Sequence, residues 1–329
     1  DEAIANLPLS GRDFTDFVVL TPGSVAATGE QSGGRGGINI GARGIQNSFN
    51  IDGANSQSTF FGEERGGTRP PFTFSQAAIK EFQVIQSSYS LQHSAGGGVI
   101  NAITKSGTNS LHGEVFGYYR DDSFVDKDAF DREATEFEQA QYGFALGGPI
   151  SRDKLHFFVS ADVQDLTTPT FREFDDFPVD RTAEWEAITG LDYGTEVGQI
   201  NQTNDATVLL LKLDWQLNDA HLGTVRYNYS DQEGENLTSS STNDGRSTNG
   251  LEQNSFDSLV FTLNSVLSED VFNEVFVQYA NEDRPRTANS LSPPETDVAR
   301  DATFGQNQFL PNSLIEERIQ IVDNLTYYM

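Results

Sequence analysis

"HSAGGGVINAITKSGTN", residues 93–109, sets three consecutive glycines before an apolar run that stops at a Lys-Ser-Gly-Thr turn. Gly96, Gly97 and Gly98 admit close backbone approach or a positive φ. Val99 to Thr104 reads as a strand, so the stretch predicts a strand entering a crowded place with its backbone bared. A phosphate-binding loop is the competing reading, but the Gly-Lys-Ser/Thr order of such a loop is missing and a strand follows, not a helix. Lys105, Ser106, Gly107 and Thr108 form the predicted turn that hands the chain on. "LHGEVFGYYR" (111–120) reads as the next strand.

Upstream the grammar is mixed α/β. "LSGRDFTDFVVL" (9–20) predicts a helix capped by Ser10, with Asp13 three residues on, and ended by Thr21-Pro22-Gly23. "GGINIGARG" (36–44) predicts a short strand, and "FNIDG" (49–53) a strand closed by an Asp-Gly turn. "SQAAIKEFQVIQ" (75–86) starts as a helix capped by Ser75 and runs into a strand from Glu81 to Gln86.

Downstream, strand-like segments fall near 113–120, 141–148, 154–165, 206–217, 221–230, 255–267, 270–281 and 314–328. Several alternate. Leu209, Leu211, Leu213, Trp215 and Leu217 share a face against Lys212, Asp214 and Gln216. Val225, Tyr227 and Tyr229 oppose Thr224, Arg226 and Asn228, while Val271, Val275, Val277 and Tyr279 oppose Glu274 and Gln278. Ile315, Ile319, Ile321, Leu325 and Tyr327 oppose Glu316, Arg318, Gln320 and Asn324. This is period-two patterning with one greasy and one polar face. Short turns at 147–153, 218–220 and 268–270 alternate with long polar loops at 121–140, 166–205, 231–254 and 282–313. Short-long alternation is the pattern of an outer-membrane barrel. A soluble sandwich alternates its faces equally well but rarely carries four loops this long. Aromatic residues recur near strand ends (Tyr118, Tyr119, Phe157, Phe158, Trp215, Tyr227, Tyr229, Tyr279, Tyr327, Tyr328), which fits girdles at the lipid interface as well as ordinary β-propensity.

The 329 residues carry 49 acidic against 21 basic side chains, a formal charge of −28. That balance argues against nucleic-acid binding, which needs basic patches. With no cysteine, disulfides, thiolate metal sites and cysteine nucleophiles are excluded.

The stretches "LPLSGRDFTDFVVLTPG" (7–23), "INIGARGIQNSFNIDGANSQS" (38–58), "AAIKEFQVIQSSYSLQHSAGGGVINAITKSGTNSLHG" (77–113) and "QYGFALGGPISRDKLHFF" (141–158) resemble the TonB-dependent outer-membrane receptors, most of all the Oar-like branch. The resemblance runs through about residue 160; beyond it only the strand-and-loop pattern speaks. It implies a small mixed α/β plug domain over 1–108, followed over 109–329 by antiparallel transmembrane β-barrel strands. About eight strands would form a partial wall of a larger barrel, since a closed eight-stranded barrel holds only side chains. Both ends are therefore expected to lie inside a longer chain, with a signal peptide, TonB box and further strands outside it.

The resemblance also implies a Gram-negative outer-membrane location, contact with outer-membrane lipid, coupling to the TonB-ExbB-ExbD complex and import of a scarce extracellular solute. A barrel for surface adhesion or secretion-linked macromolecule binding is the alternative, and a soluble acidic β enzyme is a third. Plug apices are expected around Ala42-Arg43-Gly44 and after Ile51-Asp52-Gly53. They give Arg43, Gln46, Asn47, Asn55, Gln57, Phe60 and Phe61 as candidate ligand-facing residues. Arg43 equally suits a salt bridge to a wall carboxylate, Asp52-Gly53 a turn, and Phe60 and Phe61 a plug core. Gly44, Asp52, Gly53, Gly96, Gly97, Gly98, Lys105 and Gly107 are expected as structural plug positions. No cofactor, metal centre or enzyme activity is expected. The acidic loops match no complete Ca²⁺ motif, the four histidines are scattered, and neither a Gly-x-Ser-x-Gly nor a His-Glu-x-x-His motif occurs.

Overall fold

The computed structural model describes residues 16–26, 38–41, 46–58, 63–64, 74–86, 97–127, 135–239, 241–298 and 301–328. A helical turn, Asp16–Val19, precedes β1 (Ser24–Ala26), which pairs antiparallel with β2 (Ile38–Ile40). The rest of the helix expected over 9–20 lies outside the described residues. Next come β3 (Ser48–Ile51), β4 (Ala54–Asn55) and the short pair β5 (Gln57–Ser58) and β6 (Glu63–Glu64). Strands β7 (Ile79–Ile85) and β8 (Val99–Thr104) complete a four-stranded mixed sheet in the order β4-β3-β8-β7, with β3 and β8 parallel. The helix expected from Ser75 is only a 3₁₀ turn, Gln76–Ala78, on which the Ser75 hydroxyl accepts the Ala77 N–H. Past Ala78 the β-branched Ile79, Val84 and Ile85 favour the strand, and it starts two residues before the expected Glu81.

Eight long strands follow: β9 (His112–Asp121), β10 (Glu138–Ser151), β11 (Leu155–Arg172), β12 (Gly198–Asn218), β13 (His221–Glu235), β14 (Gly250–Ser268) and β15 (Val271–Ala288), then, beyond a small hairpin of β16 (Thr296–Val298) and β17 (Ala302–Phe304), β18 (Asn312–Tyr327). The eight form one antiparallel sheet in sequence order from β9 to β15 and then β18. All eight expected strands are present, most of them longer than the alternation marks. β12 starts at Gly198, not near 206, because Asn201–Asp205 still pair with Asp165–Pro169 although neither face is apolar there. The hydrogen-bonded ladder outruns the greasy band. Tight turns at 152–154, 219–220 and 269–270 close one end, and connections 122–137, 173–197, 236–249 and 289–311 leave the other.

The wall is inverted relative to a soluble sheet. Leu211, Leu213, Trp215 and Leu217 of β12 and Ile315, Ile319 and Ile321 of β18 are exposed, whereas Arg226, Asn228, Ser230 and Gln232 of β13 are buried on the opposite face. Apolar side chains facing out and polar ones facing in is the arrangement of a barrel that spans lipid. Phe158 corrects the girdle expectation: it points inward at 2% exposure and belongs to the core. That core joins the two sheets. Ile40, Phe49, Ile51, Phe74, Ile79 and Ile100 cluster with Ala145, Phe158 and Leu210 of the wall. Each large side chain so buried is worth about 1.5–3 kcal/mol, so the small sheet is seated on β10, β11 and β12.

Candidate functional site: the seam between small sheet and wall

At the end of β3 the chain must reverse into β4. Asp52 (φ 48°) and Gly53 (φ 79°) both take positive φ, as a tight primed hairpin turn requires. The turn aims the Asp52 carboxylate at the wall. Its Oδ1 accepts the Thr104 N–H at 2.8 Å, and Oδ2 accepts the Thr104 hydroxyl at 2.7 Å and an Arg226 N–H at 3.0 Å. Lys212 Nζ stands 3.8 Å from Oδ2 and donates to the Thr104 hydroxyl at 3.0 Å. Arg226 also donates to the Ile51 carbonyl at 2.8 Å. Burial pushes the Asp52 pKa up, but Arg226, Lys212 and the two Thr104 hydrogen bonds outweigh it and hold the carboxyl below its ordinary 3.8. Lys212 and Arg226 are directly paired in register on adjacent strands, so one carboxylate offsets two buried cations.

Two more polar anchors flank this one. Arg318 of β18 donates to Asn55 Oδ1 and, at 2.9 Å, to the Gln57 carbonyl, while Gln278 of β15 donates to the Asn55 carbonyl at 3.0 Å. On the other side the Ser75 hydroxyl donates to Asp162 of β11 at 2.8 Å, and Gln141 of β10 donates to the same carboxylate at 3.2 Å.

The candidate positions separate accordingly. Asn55 is held by Arg318 and Gln278. Gln57 is buried and donates to the Asn47 carbonyl at 2.6 Å; Asn47 is buried too, donating to the Ile38 carbonyl at 2.6 Å and accepting the Gly98 N–H at 2.8 Å. Gln46 is exposed. Arg43, Gly44, Phe60, Phe61 and Gly96 lie outside the described residues, and with them the expected Arg43 ion pair to a wall carboxylate. Gly97 is buried and donates its N–H to the Gln46 carbonyl at 2.9 Å. A Cβ on Gly98 would stand 2.4 Å from Ile40 Cγ2, and one on Gly107 2.2 Å from the Phe157 carbonyl oxygen. Lys105 pairs with Glu114 at 3.1 Å near the surface. Sequence reasoning missed Lys212, Arg226, Gln278 and Arg318 as site residues, although each stands on the polar face of an alternating strand. The signal was there: two cations at matching register need a carboxylate from elsewhere.

A family model described as an outer membrane beta barrel domain matches residues 103–183. The TonB-dependent transporter Oar of Myxococcus xanthus is 30% identical over 156 residues, which is 45% of this chain and 14% of that protein. Among solved structures, the outer-membrane transporter YddB of Escherichia coli superposes with a TM-score of 0.66 at 14% identity, over 99% of this chain and 44% of the other. The siderophore receptor PirA of Acinetobacter baumannii gives 0.64 at 18% identity, over 98% and 43%. The chain thus spans less than half the length of these relatives. It is homologous to a TonB-dependent transporter, shares the fold of the TonB-dependent receptors, and carries an outer-membrane β-barrel domain of the Gram-negative envelope.

Proposed function

We propose that this outer-membrane chain is the plug (1–108) and the first eight wall strands (109–329) of a TonB-dependent transporter. The parent binds a scarce extracellular solute and imports it when the TonB-ExbB-ExbD complex, drawing on the proton gradient, displaces the plug. The observation that carries the reading is the seam: the small sheet meets the concave wall through discrete ion pairs and hydrogen bonds at Asp52, Asn55 and Ser75. These polar contacts, each replaceable by hydrogen bonds to water once the seam opens, stand beside the apolar cluster of Ile40, Phe49 and Phe158. The short turns then face the periplasm and the long loops the outside. Of the expected solute-facing positions, Gln46 is exposed and stays in the proposed set with Arg43, Phe60 and Phe61, whereas the buried Asn47 and Gln57 and the wall-bound Asn55 serve the seam instead. Solved structures that share the fold are named as a siderophore receptor, a ferric enterobactin receptor and a copper transporter, so a scarce metal or its chelate is the first proposed cargo to screen.

The test is to express the full-length parent in a Gram-negative host and follow solute accumulation with and without TonB. A reducible bifunctional crosslinker joining cysteines placed at positions 55 and 318, whose native side chains meet through the Arg318 guanidinium, should stop accumulation, and reduction should restore it. Accumulation that ignores both TonB and the crosslink would overturn the reading. Unchanged uptake with loss of cell-surface binding on loop deletion would favour the adhesion alternative.

A further inference from the structure

Connections 173–197, 236–249 and 289–311 leave the same end of the wall and meet above it. Phe174, Phe177, Trp185 and Tyr193 from the first surround Phe304 from the third. Trp185 lies edge-on to Phe304 at 5.1 Å between ring centres, and Phe177 stacks on Tyr193 at 4.5 Å. The backbones interlock as well. The Glu173 N–H donates to the Thr242 carbonyl at 2.9 Å and the Asp175 N–H to the Asp301 carbonyl at 2.8 Å. Gly245 donates to the Thr303 carbonyl at 2.8 Å, and Thr303 returns a bond to the Asn243 carbonyl at 2.9 Å.

Glu196 sits at the middle of this assembly, 3% exposed. Its carboxylate accepts the Ser247 N–H at 3.1 Å and the Ser247 hydroxyl at 2.6 Å; that hydroxyl in turn accepts the Gly305 N–H at 2.7 Å. One carboxylate and one hydroxyl therefore tie three loops together. A Cβ on Gly245 would stand 2.3 Å from Glu196 Oε2, so the carboxylate is closed in by backbone.

We propose that these three loops form one preassembled cap, latched by Glu196, Ser247 and Gly305, and that the latch tightens on acidification. Burial raises the Glu196 pKa above its ordinary 4.5. The two Ser247 hydrogen bonds and Arg246 lower it in part, and Asp192 adds to the rise. Of these charges Asp192 stands on the first loop and Arg246 on the second, while segment 302–305, Ala-Thr-Phe-Gly, brings none. A group whose pKa is raised in the closed form binds its proton more tightly there than in the open form. Closure is therefore favoured as pH falls from the raised value toward 4.5. Protonated Glu196 keeps acceptor capacity on Oε2 for Ser247 while the proton sits on Oε1. The latch does not depend on what the barrel carries.

The test is hydrogen–deuterium exchange on the full-length protein in detergent micelles, corrected for intrinsic exchange, from pH 7 down to the ordinary 4.5. Protection of 245–249 and 303–306 should rise together as pH falls. Glu196→Gln should hold both at the acid level at every pH. Ser247→Ala should cut protection in both segments about tenfold or more, the effect of losing a hydrogen bond to a charged group. Arg181→Ala, which removes an exposed pair with Glu184 in the first loop, should change neither and reports that the fold is intact. Independent responses of the two segments, or an unchanged pH dependence in Glu196→Gln, would overturn the proposal.

Discussion

The Asp52 carboxylate lies 3.0 Å from the Arg226 guanidinium, 174 residues away in sequence, and the contact crosses from the small sheet to the barrel wall. Both partners are largely shielded, and the pair shares its site with Lys212. Removing either end leaves the other charge with poor compensation.

Asp52→Asn should therefore loosen the small sheet on the wall. The expected cost is roughly 3 kcal/mol, the low end for breaking a buried pair, because Asn keeps one acceptor oxygen for the Thr104 N–H. Hydrogen exchange over 48–58 and 99–104 in the full-length protein reads it. An unchanged exchange pattern would mean that the apolar cluster around Phe158 alone holds the seat.

The same pair sets an acid limit. The Asp52 carboxyl is lowered below 3.8, so its contribution is fully present above that value. As pH falls through the lowered pKa the carboxylate gains its proton and the contribution is lost. Exchange in 99–104 should stay flat from pH 7 to about 4 and rise only below. A loss near neutral pH would place another group at the seam. The cap responds in the opposite sense, so one titration separates the two.

Gly98→Ala tests the close approach before β8. The new methyl would meet Ile40 Cγ2 at 2.4 Å, beneath a backbone N–H that donates both to the Ile40 carbonyl at 3.0 Å and to Asn47 Oδ1 at 2.8 Å. Overpacking of this sort costs about 1–3 kcal/mol. The double variant Gly98→Ala, Ile40→Ala, which removes Cγ2, should lose less in thermal melts than the sum of the two single variants, and full additivity would point to Ile40 Cβ, at 2.6 Å, and the backbone as the obstacle.

Leu213→Arg tests which face meets lipid. Leu213 is 41% exposed on the outer face of β12, and a charge at the bilayer midplane costs about 2–4 kcal/mol in a barrel. Denaturant titration of full-length protein in vesicles should show that loss, while Leu217→Arg, on the same face but next to the turn at 219–220, should show much less. Equal, negligible effects would deny the lipid face.

The sequence by itself determined the wall. Period-two alternation is local, and a strand that places Leu211, Leu213 and Trp215 on one face must place Lys212 and Asp214 on the other, so strand number, order and face were legible without any partner. The chemistry of the Asp52-Gly53 turn was legible for the same reason, since a tight hairpin asks for residues that tolerate positive φ. Only the tertiary structure decided what the buried charges hold. Arg226 meets Asp52, Arg318 meets Asn55, and Glu196 meets Ser247 through chain separations that no local pattern encodes. Nor could alternation say where β12 begins, because backbone hydrogen bonds extend the strand through 198–205, where the contrast between its faces is missing. Periodicity records which solvent each side of a strand meets, whereas a long-range ion pair records where two strands come to lie, and that is fixed only when the chain closes on itself.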